Sequence, residues 1–211
     1  MRAITALFLP LVFAAVAVSS TVSSISAEEG FVSLFDGKSL DGWKINENPA
    51  GLKLEEGCLV VNGDRAHVFY DGAVANHDFK NFHFKAEVMT FKNSNSGIYF
   101  HTAFQKDGWP GKGYEAQVNN THGDPKKTAG LYNVKDNFEA PAKDETWFTY
   151  EIIVEGKHIV TKIDGKVITD YTEPADLKRP ERQLSSGTFA LQIHDPGSKV
   201  KYRNIQVKLL P

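Results

Sequence analysis

Residues 82 to 91 read FHFKAEVMTF, with Phe82, Phe84, Ala86 and Val88 on one parity and His83, Lys85 and Glu87 on the other. Side chains of a β-strand alternate faces with period two, so this pattern is a strand with one face in a core. The same kind of run recurs along the chain, cut by turn dipeptides. LKLEEGCLVVNG (52–63) reads as a hairpin turning at Glu56-Gly57. The stretch 148–171 reads as a three-strand meander with turns at Glu155-Gly156 and Asp164-Gly165. SGIYFHTAF, GYEAQVNN, GTFALQIHD and KVKYRNIQVKLL add further strands. No amphipathic helix competes, apart from a short helical turn expected near Ala175 to Lys178. About ten short strands with Gly-rich turns define an all-β sandwich or barrel, read as one domain over 28–211.

The ends of the chain differ in character. Arg2, the apolar run Ala6 to Val18 and the small polar residues up to Ala27 form the pattern of a secretory signal peptide, 1–27. The apolar run is shorter than the roughly 20 residues a membrane span needs, so no membrane contact is expected after cleavage. The reading predicts a periplasmic or secreted protein. Cys58 is the only cysteine, which excludes an internal disulfide; in GCLVVNG it is expected as a small core residue. With 24 Lys and Arg against 26 Asp and Glu, there is no basic footprint for nucleic acid. Asp36 and Asp41 lack the alternating acid pattern of a calcium loop and are read as turn residues. Zinc, phosphate-loop and serine-hydrolase motifs are missing. Asn119-Asn120-Thr121 fits a glycosylation sequon, relevant only on a eukaryotic secretory route.

Three strands carry an unusual second face. By parity, Tyr99 and His101 oppose Ile98 and Phe100. Glu115, Gln117 and Asn119 oppose Tyr114, Ala116 and Val118. Gln192 and His194 oppose Phe189, Leu191 and Ile193. An ordinary wet face carries Lys, Thr and Glu, as the YEIIVEG and HIVTKIDG strands do with Glu151, Glu155 and Lys162. The expectation is a concave polar floor made of His101, Glu115, Gln117 and His194. Amide side chains both donate and accept, which suits sugar hydroxyls. Tyr99 and Trp109 are candidates to stack on a ring, and His122, in the loop after Asn119, to reach the floor. His67, His77, His83 and His158 are read as surface residues. The residue types require no cofactor; a divalent metal on His101, Glu115 and His194 is compatible in type. The segments 106–113 and 120–146 are long loops of the kind that carry function.

The ordered set LFDGKSLDGW, NSGIYFH, GYEAQV, TAGLY, YEIIVEG, IDGK, GTFALQIHD and VKYRNIQVKLL, over 31–210, resembles the 3-keto-disaccharide hydrolase family of exported bacterial proteins. The resemblance implies a concanavalin-A-like jelly-roll sandwich of two antiparallel sheets. It also implies cleavage of glycosides oxidised at sugar C3. A C3 ketone acidifies the C2 proton; a base removes it, the C1 substituent leaves, and water adds. Such a site needs a base, a group that holds the enolate and an acid for the leaving oxygen, rather than a glycosidase carboxylate pair. On that resemblance Glu115 or His194 is the base, His101 with or without a metal ion is the electrophile, and Gln117 and Gln192 hold hydroxyls. Members often carry Arg where His101 stands; His need not be charged. The alternative function is a non-catalytic, lectin-like carbohydrate-binding module on the same sandwich.

Overall fold

The computed structural model describes residues 29–179 and 182–211; the expected signal peptide lies outside them. Thirteen strands follow in chain order: β1 Val32–Ser33, β2 Trp43–Ile45, β3 Leu52–Glu55, β4 Cys58–Val61, β5 Ala66–Tyr70, β6 Phe82–Thr90, β7 Ser96–Thr102, β8 Tyr114–Val118, β9 Phe148–Glu155, β10 His158–Ile163, β11 Lys166–Thr172, β12 Thr188–Ile193 and β13 Val200–Leu209. They form two antiparallel sheets. One runs β11-β10-β9-β6-β13-β4-β3, with β1 also on β13; the other runs β2-β5-β12-β7-β8. Non-sequential neighbours such as β13 beside β6 and β12 beside β5 are the crossovers of a jelly roll.

The core is the space between the sheets. Phe82, Phe84, Ala86 and Val88 point into it from β6 as the alternation requires, and Ile98, Phe100, Ala116, Val118, Phe189 and Leu191 meet them from the second sheet. Phe189 is central, with ring centroids 4.8 Å from Phe82 and 4.8 Å from Phe84. Cys58 is buried and free, as expected of a small core residue. The hairpin β3–β4 and the meander β9–β10–β11 turn where their Gly residues predict.

One strand is added and two local expectations change. AHVFY is a full strand, β5, although its parity carries no wet residue that would mark it. Residues 175–176 make a turn rather than a helix. Glu151 is buried, held by His83 at 2.7 Å, so this part of the outer sheet is not plain exterior. No helix among the described residues is long and apolar enough to cross a membrane.

The feature that matters for function is burial on both faces of the second sheet. In β5, β7, β8 and β12 every residue is buried. One face lies on the core. The other is covered by loops, so its polar side chains sit in an enclosed floor rather than in open solvent.

Candidate functional site

Cross-strand register lays out this floor in rows. Tyr99 pairs with Glu115 on one side and Ala190 on the other, and Ala190 pairs with Phe69. That gives the row Phe69–Ala190–Tyr99–Glu115. One step along the strands, His67 pairs with Gln192 and Gly97 with Gln117. Side chains in such rows touch directly or diagonally. The Tyr99 hydroxyl donates to Glu115 Oε2 at 2.8 Å, and Gln192 Nε2 donates to Glu115 Oε1 at 2.9 Å. Gln117 Nε2 donates to Asn95 Oδ1 at 3.1 Å. A cavity of about 360 Å³ opens above these groups, walled by Trp109, Asp124, Tyr132, Arg182 and His194.

Glu115, Gln117, His194, Tyr99 and Gln192 are brought together here as the strand parity predicts, and Trp109 joins them from the loop 106–113. Burial raises the Glu115 pKa, opposed by the Tyr99 hydrogen bond, the Arg182 charge and Gln192. The Oε1 atoms of Gln117 and Gln192 and Nη1 of Arg182 are buried without a hydrogen-bond partner among the described residues. Unpaired buried polar atoms are costly, and three of them on one cavity wall are a prepared set of contacts for a polar ligand. His194 sits at the mouth. Its Nδ1 is 2.7 Å from Asp195 Oδ2, which also accepts from Ser198 Oγ at 2.7 Å. Burial alone would raise the Asp195 pKa, but the Ser198, His194 and Gly197 hydrogen bonds hold it below the ordinary value. A carboxylate on Nδ1 fixes the imidazole and leaves Nε2 as its free nitrogen. Trp109 is 43% exposed and packs 5.4 Å from His194 and 5.5 Å from His67, giving the cavity an aromatic side.

His101 is not on this floor. From Tyr99 to Thr102, β7 spends three steps where β12 spends two between Ala190 and Thr188. One extra residue is a β-bulge, and it flips every later side chain to the other face. His101 takes the strain with φ of 54° and turns under the sheet against Phe82 and Phe100. There Nδ1 accepts from the Ser185 N–H at 3.1 Å, so Nε2 carries the proton and donates to the Lys80 carbonyl at 2.8 Å. Burial lowers its pKa. Both nitrogens are used, and their effect is to pin the segment 182–187 that carries Arg182. The trio His101, Glu115 and His194 is therefore not gathered, and no group of three His, Cys, Asp or Glu suited to a metal exists among the described residues. The divalent-metal expectation does not fit this side-chain arrangement.

Asn119 is also withdrawn from the cavity. Its Nδ2 donates to the carbonyls of Asp124 and Lys126, and its Oδ1 accepts from the His122 N–H. It folds the loop that carries Asp124. His122 stands at the rim, 5.6 Å from the His194 ring, with Nδ1 accepting from the Asp124 N–H at 3.1 Å. His67, expected at the surface, is fully buried on β5 between Tyr99 and Trp109, and neither ring nitrogen has a partner among the described residues. Burial lowers its pKa to about 3, so it is a neutral imidazole. His77 and His158 are exposed, as expected, and His83 is half-buried beside Glu151.

Asn95, Asp124, Tyr132 and Arg182 join the cavity without having been singled out. Asp124 and Tyr132 fall in the long loop 120–146 that sequence length had marked. Arg182 lies in a loop with no local pattern at all.

A jelly-roll sandwich that lines one buried face with amides, carboxylate, imidazole and an exposed Trp belongs to the class of carbohydrate-handling β-sandwich proteins. Residues 30–208 match the model of the 3-keto-alpha-glucoside-1,2-lyase-like domain, and the chain belongs to that family. Its function is accordingly carbohydrate-related. Among solved structures, a protein of Parabacteroides distasonis provisionally named a glycosyl hydrolase is similar at TM-score 0.73 and 21% identity, over 87% of this chain and 95% of that one. The carbohydrate binding module CBM66 of Bacillus subtilis is similar at TM-score 0.56 and 11% identity, over 79% and 95%. At these identities the likeness is one of fold. No curated protein gives a significant match.

Proposed function

We propose that this protein cleaves α-glucosides already oxidised to a ketone at C3, by elimination across C1 and C2, with hydration of the product completing a hydrolysis. The observation that carries the reading is Arg182, a cation in the cavity whose Nη1 has no partner among the described residues and whose charge acts on Glu115. A fixed guanidinium is what a developing C3 enolate needs. It supplies the positive charge that His101, turned under the sheet, does not.

In this reading His194 Nε2, freed by the Asp195 contact to Nδ1, takes the C2 proton. The electron pair moves into C2–C3 and charges the C3 oxygen, which faces the Arg182 guanidinium. The pair then returns through C2 to form a C1–C2 double bond as the C1–O bond breaks. The leaving oxygen needs a proton, and burial favours the protonated form of Glu115, which makes it the acid. Water adding its hydroxyl to C1 and its proton to C2 gives the free 3-keto sugar. The amide oxygens of Gln117 and Gln192 accept from sugar hydroxyls, and Trp109 covers one face of the ring. The family match supports this assignment.

Residues 1–27 are proposed to direct export, giving a periplasmic or secreted enzyme; an N-terminus at or near residue 28 in the mature protein is the expected readout. The function is tested by incubating the protein with methyl 3-keto-α-glucoside and weighing the products. Methanol together with the unsaturated ketone or its hydrate is expected. Intact substrate with sugar binding retained would assign the cavity to a non-catalytic binding module.

A further inference from the structure

We propose that a second cavity on the same face, around Thr102 and Phe104, is a subsite for the sugar ring attached to C1 of the ring being cleaved. The inference rests on the Glu115 cavity being the cleavage site. This second cavity has a volume of about 300 Å³ and shares no lining residue with the first.

Position comes from the bulge at His101. By flipping the parity of β7, it returns Thr102 to the functional face, opposite Thr188. Thr102 and Thr188 then form the next row after Phe69–Ala190–Tyr99–Glu115, two residues and about 6.6 Å further along the strands. Phe69, in the Glu115 row, lines the second cavity, so the floor is continuous between the two.

The chemistry of the lining is that of a sugar site. Three large aromatic side chains are exposed among the described residues: Phe104, Trp109 and Phe138. Trp109 opens on the first cavity and Phe104, 44% exposed, on the second. Two of the three thus stand over one face of one sheet, as stacking platforms for successive rings would. Thr102 is 1% exposed, and its Oγ1 has no hydrogen-bond partner among the described residues. A hydroxyl that both donates and accepts, left unpaired at a cavity wall, matches a ligand hydroxyl. Asp71, Asp78 and Lys112 add two acidic acceptors and one basic donor, a lining that disfavours an anion and suits the hydroxyls of a neutral polyol. The loop that closes this cavity holds Ala75, Asn76 and His77 at φ of 51°, 50° and 48°. Three consecutive side-chain-bearing residues in the left-handed region are strained, a state that persists where surrounding structure enforces it. Asn76 and His77 line the cavity as a result.

The test compares two substrates in the wild type, Phe104→Ala and Thr102→Val. One is methyl 3-keto-α-glucoside, which reaches only the first cavity. The other is maltose oxidised at C3 of its non-reducing ring, which spans both. The expected result is a KM for the disaccharide at least tenfold higher in each variant, with the methyl glycoside changed less than twofold. Equal changes for both substrates, or none for either, would overturn the subsite. If the wild type cleaves neither substrate, the cleavage reading has failed. The subsite is then read by calorimetric titration with unoxidised maltose: binding weakened tenfold by Phe104→Ala sustains it as a sugar site, and binding unchanged by the substitution, or absent from the wild type, overturns it.

Discussion

The Glu115 side chain lies over the α-carbon of Gly97. A methyl group built on Gly97 would fall 2.9 Å from Cγ and 3.0 Å from Cδ of Glu115, and closer still to Oε1. Gly97 has no positive φ to explain it; space for this carboxylate is its reason. Gly97→Ala is expected to cost about 1–3 kcal/mol by overpacking and to displace the carboxylate enough to lower turnover about a hundredfold. The stability loss should largely vanish in a Glu115→Ala background, because the three atoms nearest the added methyl all belong to Glu115. A urea-denaturation double-mutant cycle measures this.

Glu115 is expected to trade stability for function. Its folded pKa is raised by burial, so its contribution to stability is full below the unfolded value and is lost as pH rises through the folded one. Above the folded value the buried charge is therefore a cost. Glu115→Gln keeps the acceptor for Tyr99 and removes that cost. A melting temperature higher by about 2–4 °C, roughly 1 kcal/mol for a chain of this size, is expected together with loss of turnover. The gain should shrink toward pH 4, measured by thermal melts across that range.

His67 should make the fold acid-sensitive. Its pKa is lowered from 6.5 to about 3. A depressed folded pKa gives stability that is present above pH 6.5 and lost as pH falls toward 3. At 1.36 kcal/mol per pH unit the full loss is on the order of 5 kcal/mol. His67→Phe should flatten denaturation midpoints between pH 6.5 and pH 4 relative to the wild type.

Arg182 and Trp109 should separate in kinetics. Arg182→Met removes a group that acts when charge develops, so kcat should fall about 10²- to 10³-fold with KM little changed. Trp109→Ala removes stacking on the ground-state sugar, so KM should rise about tenfold with a smaller effect on kcat. The reverse split would reassign both residues.

Much of this fold is legible because alternation and Gly-punctuated turns are local. FHFKAEVMTF and the three Gly-turned hairpins fold as they read. β5 is not legible: AHVFY is buried on both faces, so it shows no polar parity, and His67 looks like its exposed neighbours Asp64 and Arg65. Parity also finds Glu115, Gln117, Gln192 and His194. It fails at His101 because a bulge is a property of the pairing between β7 and β12, which neither strand states alone. Asn119 sits on the predicted face, yet its amide is consumed by the loop it folds. Arg182 reaches the cavity through tertiary placement of a loop, and nothing in RPERQLSSG encodes that.

The most direct test of the account is to run the reaction on methyl 3-keto-α-glucoside in D₂O and read deuterium at C2 of the products. Elimination through a C2 carbanion predicts an unsaturated ketone that has lost the C2 hydrogen, and a hydrated 3-keto sugar carrying deuterium at C2. Release of a 3-keto sugar that keeps its original C2 hydrogen would contradict it. That result would place bond breaking at C1 by direct displacement and turn attention to Glu115 and Asp124 as the two carboxylates of the cavity.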